Sequence, residues 1–140
     1  IYKFRSMYLD SETGGPQLSS DTDDRCTPWG RIMRKYRLDE IPQFWNCLIG
    51  DMSIVGPRPE QPKFVKMFSE QLDYYNRRHK VRPGITGWWQ IKYESHELSI
   101  EEIENRTKDD FYYIENMSLK LDFEIIIRTI WLVIKGHGQT

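Results

Sequence analysis

The sequence predicts an α+β fold, predominantly helical, built as a single domain with short strands or a hairpin. Three observations lead there. Apolar residues recur with helical spacing in several separate segments. Two short stretches rich in Gly and Pro interrupt them and read as extended backbone. The 140 residues suffice for one hydrophobic core, and no internal repeat or low-complexity segment divides them.

Taken in order, Tyr2 to Leu9 reads as a strand or extended lead-in. Ser11 to Pro28 is rich in Gly, Pro, Ser, Thr and Asp and reads as a surface loop. Its Asp21-Thr22-Asp23 has the spacing of a phosphatase nucleophile motif, but no hydrophobic strand precedes it, so that function is set aside. Pro28 to Tyr36 begins a short basic helix. From Ile41 the apolar residues fall at Ile41, Phe44, Trp45, Leu48 and Ile49, which predicts an amphipathic helix with that face buried. Asp39 is its N-cap candidate, Pro42 fits the first turn, and Gly50 fits the left-handed residue after the end.

Met52 to Val55 reads as a short extended piece before a stiff Gly-Pro-Arg-Pro turn. Glu60 to Asn76 reads as a helix with Phe64, Val65, Phe68, Leu72 and Tyr75 on one side. Val81 to Ile91 reads as a turn feeding a short strand at Trp88 to Ile91. Ile100 to Tyr113 and Leu121 to Lys135 read as the last helices. The final one carries Phe123, Ile126, Ile127, Ile130, Trp131, Val133 and Ile134. It is expected to be a core helix, with a place along a membrane surface as the alternative. The Trp88-Trp89 pair suits a core, a partner surface or a bilayer interface.

The formal net charge of −1 gives no global attraction to nucleic acid or to anionic lipid, and no nucleic acid is expected as a partner. Charge is uneven locally: Arg31 to Arg37 and Arg77 to Arg82 are basic, Asp21 to Asp24 and Glu101 to Glu104 acidic. Such runs are ordinarily solvated faces; for the basic pair the sharper alternative is contact with phosphates at a membrane surface. Cys26 and Cys47 lack metal or disulfide spacing, and Cys47 is expected in the core. His79, His96 and His137 show no ligand spacing. No apolar run reaches the roughly 18 residues of a spanning helix.

The chemistry concentrates between Arg34 and Pro59. Asp39 and Glu40 are adjacent carboxylates at the predicted positive end of a helix, among arginines. An ionised Asp can attack phosphorus and form a covalent intermediate. A neighbouring Glu can hold Mg2+, which takes hard oxygen ligands. Arg58, fixed between two prolines, can grip a phosphate through two hydrogen bonds. Spacing alone equally allows Asp39 to be only a cap, Glu40 a surface residue and Arg58 a turn residue.

Five collinear blocks decide between these. They are YKFRSM from Tyr2, RLDEIPQFWN from Arg37, GDMSIVGPRP from Gly50, RPGITGWWQI from Arg82 and FYYIENMSLKLDFEIIIRT from Phe111. Together they span nearly the whole chain, and they resemble the catalytic domain of the bacterial sugar transferases, the monotopic polyprenyl-phosphate phosphoglycosyl transferases. The resemblance implies transfer of a sugar 1-phosphate from a UDP-sugar to polyprenyl (undecaprenyl) phosphate, with release of UMP. That step initiates capsule, exopolysaccharide, lipopolysaccharide or glycoprotein glycans. The resemblance assigns Asp39 as nucleophile, Glu40 as catalytic and Mg2+-holding, and Lys3, Arg58 and Asp122 as substrate- or phosphate-binding. It implies a place at the cytoplasmic face of the bacterial inner membrane. It also implies that residues 1–140 are the catalytic domain of a protein whose membrane-embedded helix lies upstream of the first block.

Two departures bear on substrate choice. Lys92-Tyr93-Glu94 stand where many relatives have an Asn-Gly turn, and Trp89 stands where a smaller residue is common. The sugar is left unread, and a homo-oligomer is left open. A non-catalytic module binding nucleotide-sugar or phosphate is the alternative function, and a Trp-based protein-interaction domain a third.

Overall fold

The computed structural model describes residues 1–11, 24–92 and 99–136. The order of elements is α1 (Pro28–Lys35), α2 (Gln43–Leu48), β1 (Ser53–Val55), α3 (Pro62–Gln71), β2 (Gly84–Thr86), α4 (Ile100–Glu115) and α5 (Leu119–Ile134). Short 3-10 turns lie at Leu38–Glu40, Tyr75–Lys80 and Trp89–Ile91. The fold class is α+β and mainly helical, as the sequence predicts. The strands pair in parallel, Ser53 beside Gly84 and Val55 beside Thr86, so they are not a hairpin. The second strand lies ahead of Trp88, and Trp89 to Ile91 turn instead of extending.

Helix ends follow local chemistry. Thr27 Oγ1 accepts from Gly30 N to cap α1, and Ser99 and Ser118 cap α4 and α5 in the same way. Pro28 and Pro62 occupy first-turn positions of α1 and α3, where a missing N–H costs nothing. The predicted Glu60–Asn76 helix divides: α3 stops at Gln71, and a 3-10 turn takes over at Tyr75. Gly50 has φ +91° at the end of α2, as its place after the helix requires.

The core has two clusters. One is Val55, Tyr113, Leu121 and Ile125, with Trp88 and Ile91 packed against it. The other is Phe64, Phe68, Tyr75 and Ile103. The two strands approach so closely that a Cβ on Gly84 would lie 2.1 Å from Gly56 N, so only glycine fits there.

The expected α2 face is reversed, and the expected α5 face is buried only in part. Ile41, Phe44, Trp45, Leu48 and Ile49 are exposed, while Gln43 and Asn46 of α2 are 2% exposed. Hydrogen bonds cause the inversion: Asn46 Oδ1 accepts from Tyr2 N, and Asn46 O accepts from Asp51 N and Met52 N. On α5, Leu121 and Ile125 are core, but Phe123, Ile127, Ile130, Trp131 and Ile134 are exposed, so it is a core helix along one stripe only. Cys47 is half-buried and Cys26 buried; both are free thiols. Asp21 to Asp23, His96 and His137 lie outside the described residues.

Candidate active site

Asp39 and Glu40 sit in a 3-10 turn ahead of α2 and do not cap it. Two local facts prevent the predicted cap. Pro42 has no N–H to bond back to Leu38, whose carbonyl accepts from Ile41 N instead. The Asp39 carbonyl, which would accept the first helical bond, is taken by Phe4 N at 2.9 Å. The turn opens on Arg37 in the left-handed region, at φ +51°.

The N-terminal segment is laid across this turn by a series of backbone bonds. Tyr8 N donates to Arg25 O, Thr27 N to Ser6 O and Phe4 N to Asp39 O. Arg34 Nε donates to Ser6 Oγ at 3.0 Å. Lys3 is thereby set over the dyad. The Gly-Pro-Arg-Pro turn, at the end of β1, brings Arg58 to the same Glu40 oxygen as Lys3.

Glu40 is where these parts meet. Its Oε1 accepts from Lys3 Nζ at 2.9 Å and from Arg58 Nη2 at 3.0 Å, with the Glu40 side chain only 6% exposed. Burial acts to raise the Glu40 pKa, but Arg58, Lys3 and Arg37 outweigh it and hold it down at about 2. Burial, and then the Glu40 charge, push Asp39 above its ordinary value. One carboxylate is thus firmly anionic, and its neighbour is more basic than a solvated aspartate. Glu40 Oε2 is buried with no hydrogen-bond partner among the described residues. A hard cation is a fitting partner for such an oxygen.

Of the residues singled out from sequence, Lys3, Asp39, Glu40 and Arg58 are brought together. Asp122 bonds a different partner: its Oδ1 accepts from Tyr113 Oη at 2.8 Å, and Tyr113 Oη also lies 3.4 Å from Val55 O at the end of β1. Among the described residues no three His, Cys, Asp or Glu side chains form a metal-binding group, so protein atoms alone would leave a metal largely to other ligands. Sequence reasoning missed Arg37 as a partner of the dyad. It also missed Arg78, whose Nη2 donates to Arg58 O at 2.7 Å. Arg37 was legible only as part of a basic run, and Arg78 carried no signal beyond the same.

The profile of the bacterial sugar transferase family matches residues 1–136. The chain is 47% identical over 138 residues, 99% of its length, to the UDP-N-acetylgalactosamine-undecaprenyl-phosphate N-acetylgalactosaminephosphotransferase of Aeromonas hydrophila, covering 32% of that protein. It is 42% identical to the undecaprenyl-phosphate glucose phosphotransferase of Komagataeibacter xylinus, over 93% of this chain and 25% of that one. It is 38% identical to the UDP-glucose:undecaprenyl-phosphate glucose-1-phosphate transferase of Escherichia coli, over 94% and 28%. The chain therefore spans a third or less of the length of these relatives.

Proposed function

The chain belongs to the bacterial sugar transferases, and from that premise we propose that it moves a sugar 1-phosphate from a UDP-sugar to a polyprenyl phosphate, with Asp39 as nucleophile and UMP as leaving group. The observation that carries this is the meeting of Lys3, Arg37 and Arg58 around Glu40, directly beside a buried Asp39 of raised pKa. The names of the relatives support the same donor and acceptor classes.

The steps follow from the residues. An Asp39 carboxylate oxygen attacks the phosphorus that bears the sugar. The bond from that phosphorus to the bridging oxygen breaks, and UMP departs with the electron pair. A phosphate oxygen of the polyprenyl phosphate then attacks the same phosphorus and frees the Asp39 carboxylate. A polyprenyl diphosphate sugar remains. Burial makes Asp39 a stronger nucleophile than a solvated carboxylate. Lys3 and Arg58, both bound to Glu40, would offset the charge that builds on the equatorial oxygens. Glu40 orients both cations through one oxygen, leaving its other oxygen for Mg2+. Mg2+ held there would supply neutralisation of the diphosphate charge.

The exposed apolar helix faces support a bilayer as the setting. Trp29, Ile32 and Tyr36 of α1, the α2 face and the outer stripe of α5 are all exposed. Gly136, just after α5, lies against Lys35 and Tyr36, so the C-terminal ends of α1 and α5 meet. Lys35, Lys120 and Lys135 lie at the ends of α1 and α5 and could meet an anionic headgroup layer, while Arg31 and Arg128 are paired with Asp24 and Glu124. No described helix is long and apolar enough to cross a membrane. The helices would lie in the interface, at the cytoplasmic face of the inner membrane where UDP-sugars are available.

The test is nucleotide release from the full-length protein in membranes, given UDP-sugars, polyprenyl phosphate and Mg2+, beside Asp39→Asn. UMP release from the native protein that vanishes in the folded variant is expected. Release of UDP would overturn the mechanism. No release with any sugar would favour a nucleotide-sugar-binding module.

A further inference from the structure

Resting on the transferase reading above, we propose that Arg78 and Asp110 are positioning residues for the transfer, fixing the Arg58 guanidinium beside Glu40 without touching substrate. The turn that carries Arg58 has an unusual need for outside support. Pro57 and Pro59 have no N–H, so after Gly56, whose N donates to Thr86 O at 2.9 Å, the turn is held through its carbonyls. The Pro57 carbonyl accepts from Gly84 N at 3.0 Å, which fixes the turn to β2. The Arg58 carbonyl accepts from Arg78 Nη2 at 2.7 Å. These two bonds stand on consecutive residues and define where the Arg58 side chain starts.

Arg78 is in turn fixed from several directions. Its Nη2 lies 2.8 Å from Asp110 Oδ2 on α4, its Nη1 donates to Tyr75 Oη at 2.6 Å, and its guanidinium lies 5.1 Å from the Tyr75 ring centre. The side chains of Arg78 and Asp110 are 7% and 6% exposed. A buried ion pair is a poor device for stability alone, because desolvation offsets most of its attraction. It is a good device for holding geometry, since a planar guanidinium accepts few arrangements. A chain of contacts thus runs from α4 through Asp110 and Arg78 to the Arg58 backbone and on to Glu40. Displacing a charged group by about 1 Å in such a site costs roughly 100-fold in rate.

The experiment uses the full-length protein in membranes and a double-mutant cycle on UMP release. Arg78→Lys keeps the charge but cannot reach Asp110, Tyr75 and the Arg58 carbonyl at once. It is expected to lower kcat by about tenfold or more, with KM for the UDP-sugar little changed. In an Arg58→Ala background the same substitution is expected to cost nothing further, because its route of action is gone. Asp110→Asn keeps an acceptor for Arg78 and should give a smaller loss, also absent in that background; it serves if Arg78→Lys does not fold. Multiplying losses, or native kcat in both variants, would overturn the proposal. Should the native protein release no UMP, the transferase reading falls by itself. The positioning is then read from the Arg58 Nε–H resonance of 15N-arginine-labelled protein, which Arg78→Lys is expected to shift or broaden. An unchanged resonance would overturn it.

Discussion

Glu40 shows how one residue can serve two demands. One oxygen is held by Lys3 and Arg58, and the other is buried without a partner among the described residues. The held oxygen makes a stability prediction for the metal-free protein. The Glu40 pKa falls from 4.5 to about 2 on folding, so the folded state binds this proton less readily than the unfolded chain. Its contribution is therefore fully present above pH 4.5 and is lost as pH falls toward 2. The shift corresponds to roughly 3 kcal/mol. Denaturant unfolding of native protein and Glu40→Gln with a chelator present should show a stability gap that closes across that window. A gap that stays constant to pH 2 would mean the cations do not hold Glu40 in the folded state. The dyad and Arg58 were legible in the sequence, because residue types suited to phosphate chemistry are recognisable in their blocks. Lys3 was legible only through the resemblance of its block, and Arg37 and Arg78 were not read as partners at all. Lys3, 37 residues away from Glu40, reaches it only because backbone bonds lay the N-terminal segment across the turn.

At the scale of elements, α2 and α5 carry the main lesson. The spacing of Ile41, Phe44, Trp45, Leu48 and Ile49 identified an amphipathic helix correctly, but periodicity does not say which medium the apolar face meets. Here Gln43 and Asn46 face the protein, because the Asn46 side chain and carbonyl are needed by Tyr2, Asp51 and Met52. The helix start was misplaced for an equally local reason, since the Asp39 carbonyl was spent on Phe4 N. Trp45→Ser and Leu48→Ser should accordingly behave as surface changes toward folding, within about 0.5 kcal/mol by denaturant unfolding. Each should weaken binding to vesicles containing anionic phospholipid by about tenfold, through lost apolar burial. Marked destabilisation in buffer would mean that this face packs on protein. Strong binding by both variants would mean that it does not meet the bilayer.

At the scale of the whole molecule, the balance of apolar surface is unusual. Among the described residues, exposed large hydrophobic side chains outnumber the buried ones. Two modest core clusters, around Ile125 and around Phe68, organise the interior. Apolar area left in water contributes nothing to folding, so much of the hydrophobic free energy available to this chain is unused in buffer. A bilayer surface that covers the α1, α2 and α5 faces would recover it. Binding the folded state alone also shifts the unfolding equilibrium by mass action. Thermal unfolding should therefore move upward with vesicle concentration, by an amount that tracks saturation of binding, and further with anionic than with neutral lipid because of the flanking Lys. Salt should reduce the anionic advantage and leave the apolar part nearly intact, since screening acts on exposed charge and not on burial. Calorimetry across a lipid titration at low and high salt separates the two contributions. A transition that vesicles leave unmoved would show that these faces are not built for a membrane. One that salt abolishes entirely would show that charge, and not the exposed Phe, Ile and Trp side chains, holds the protein there.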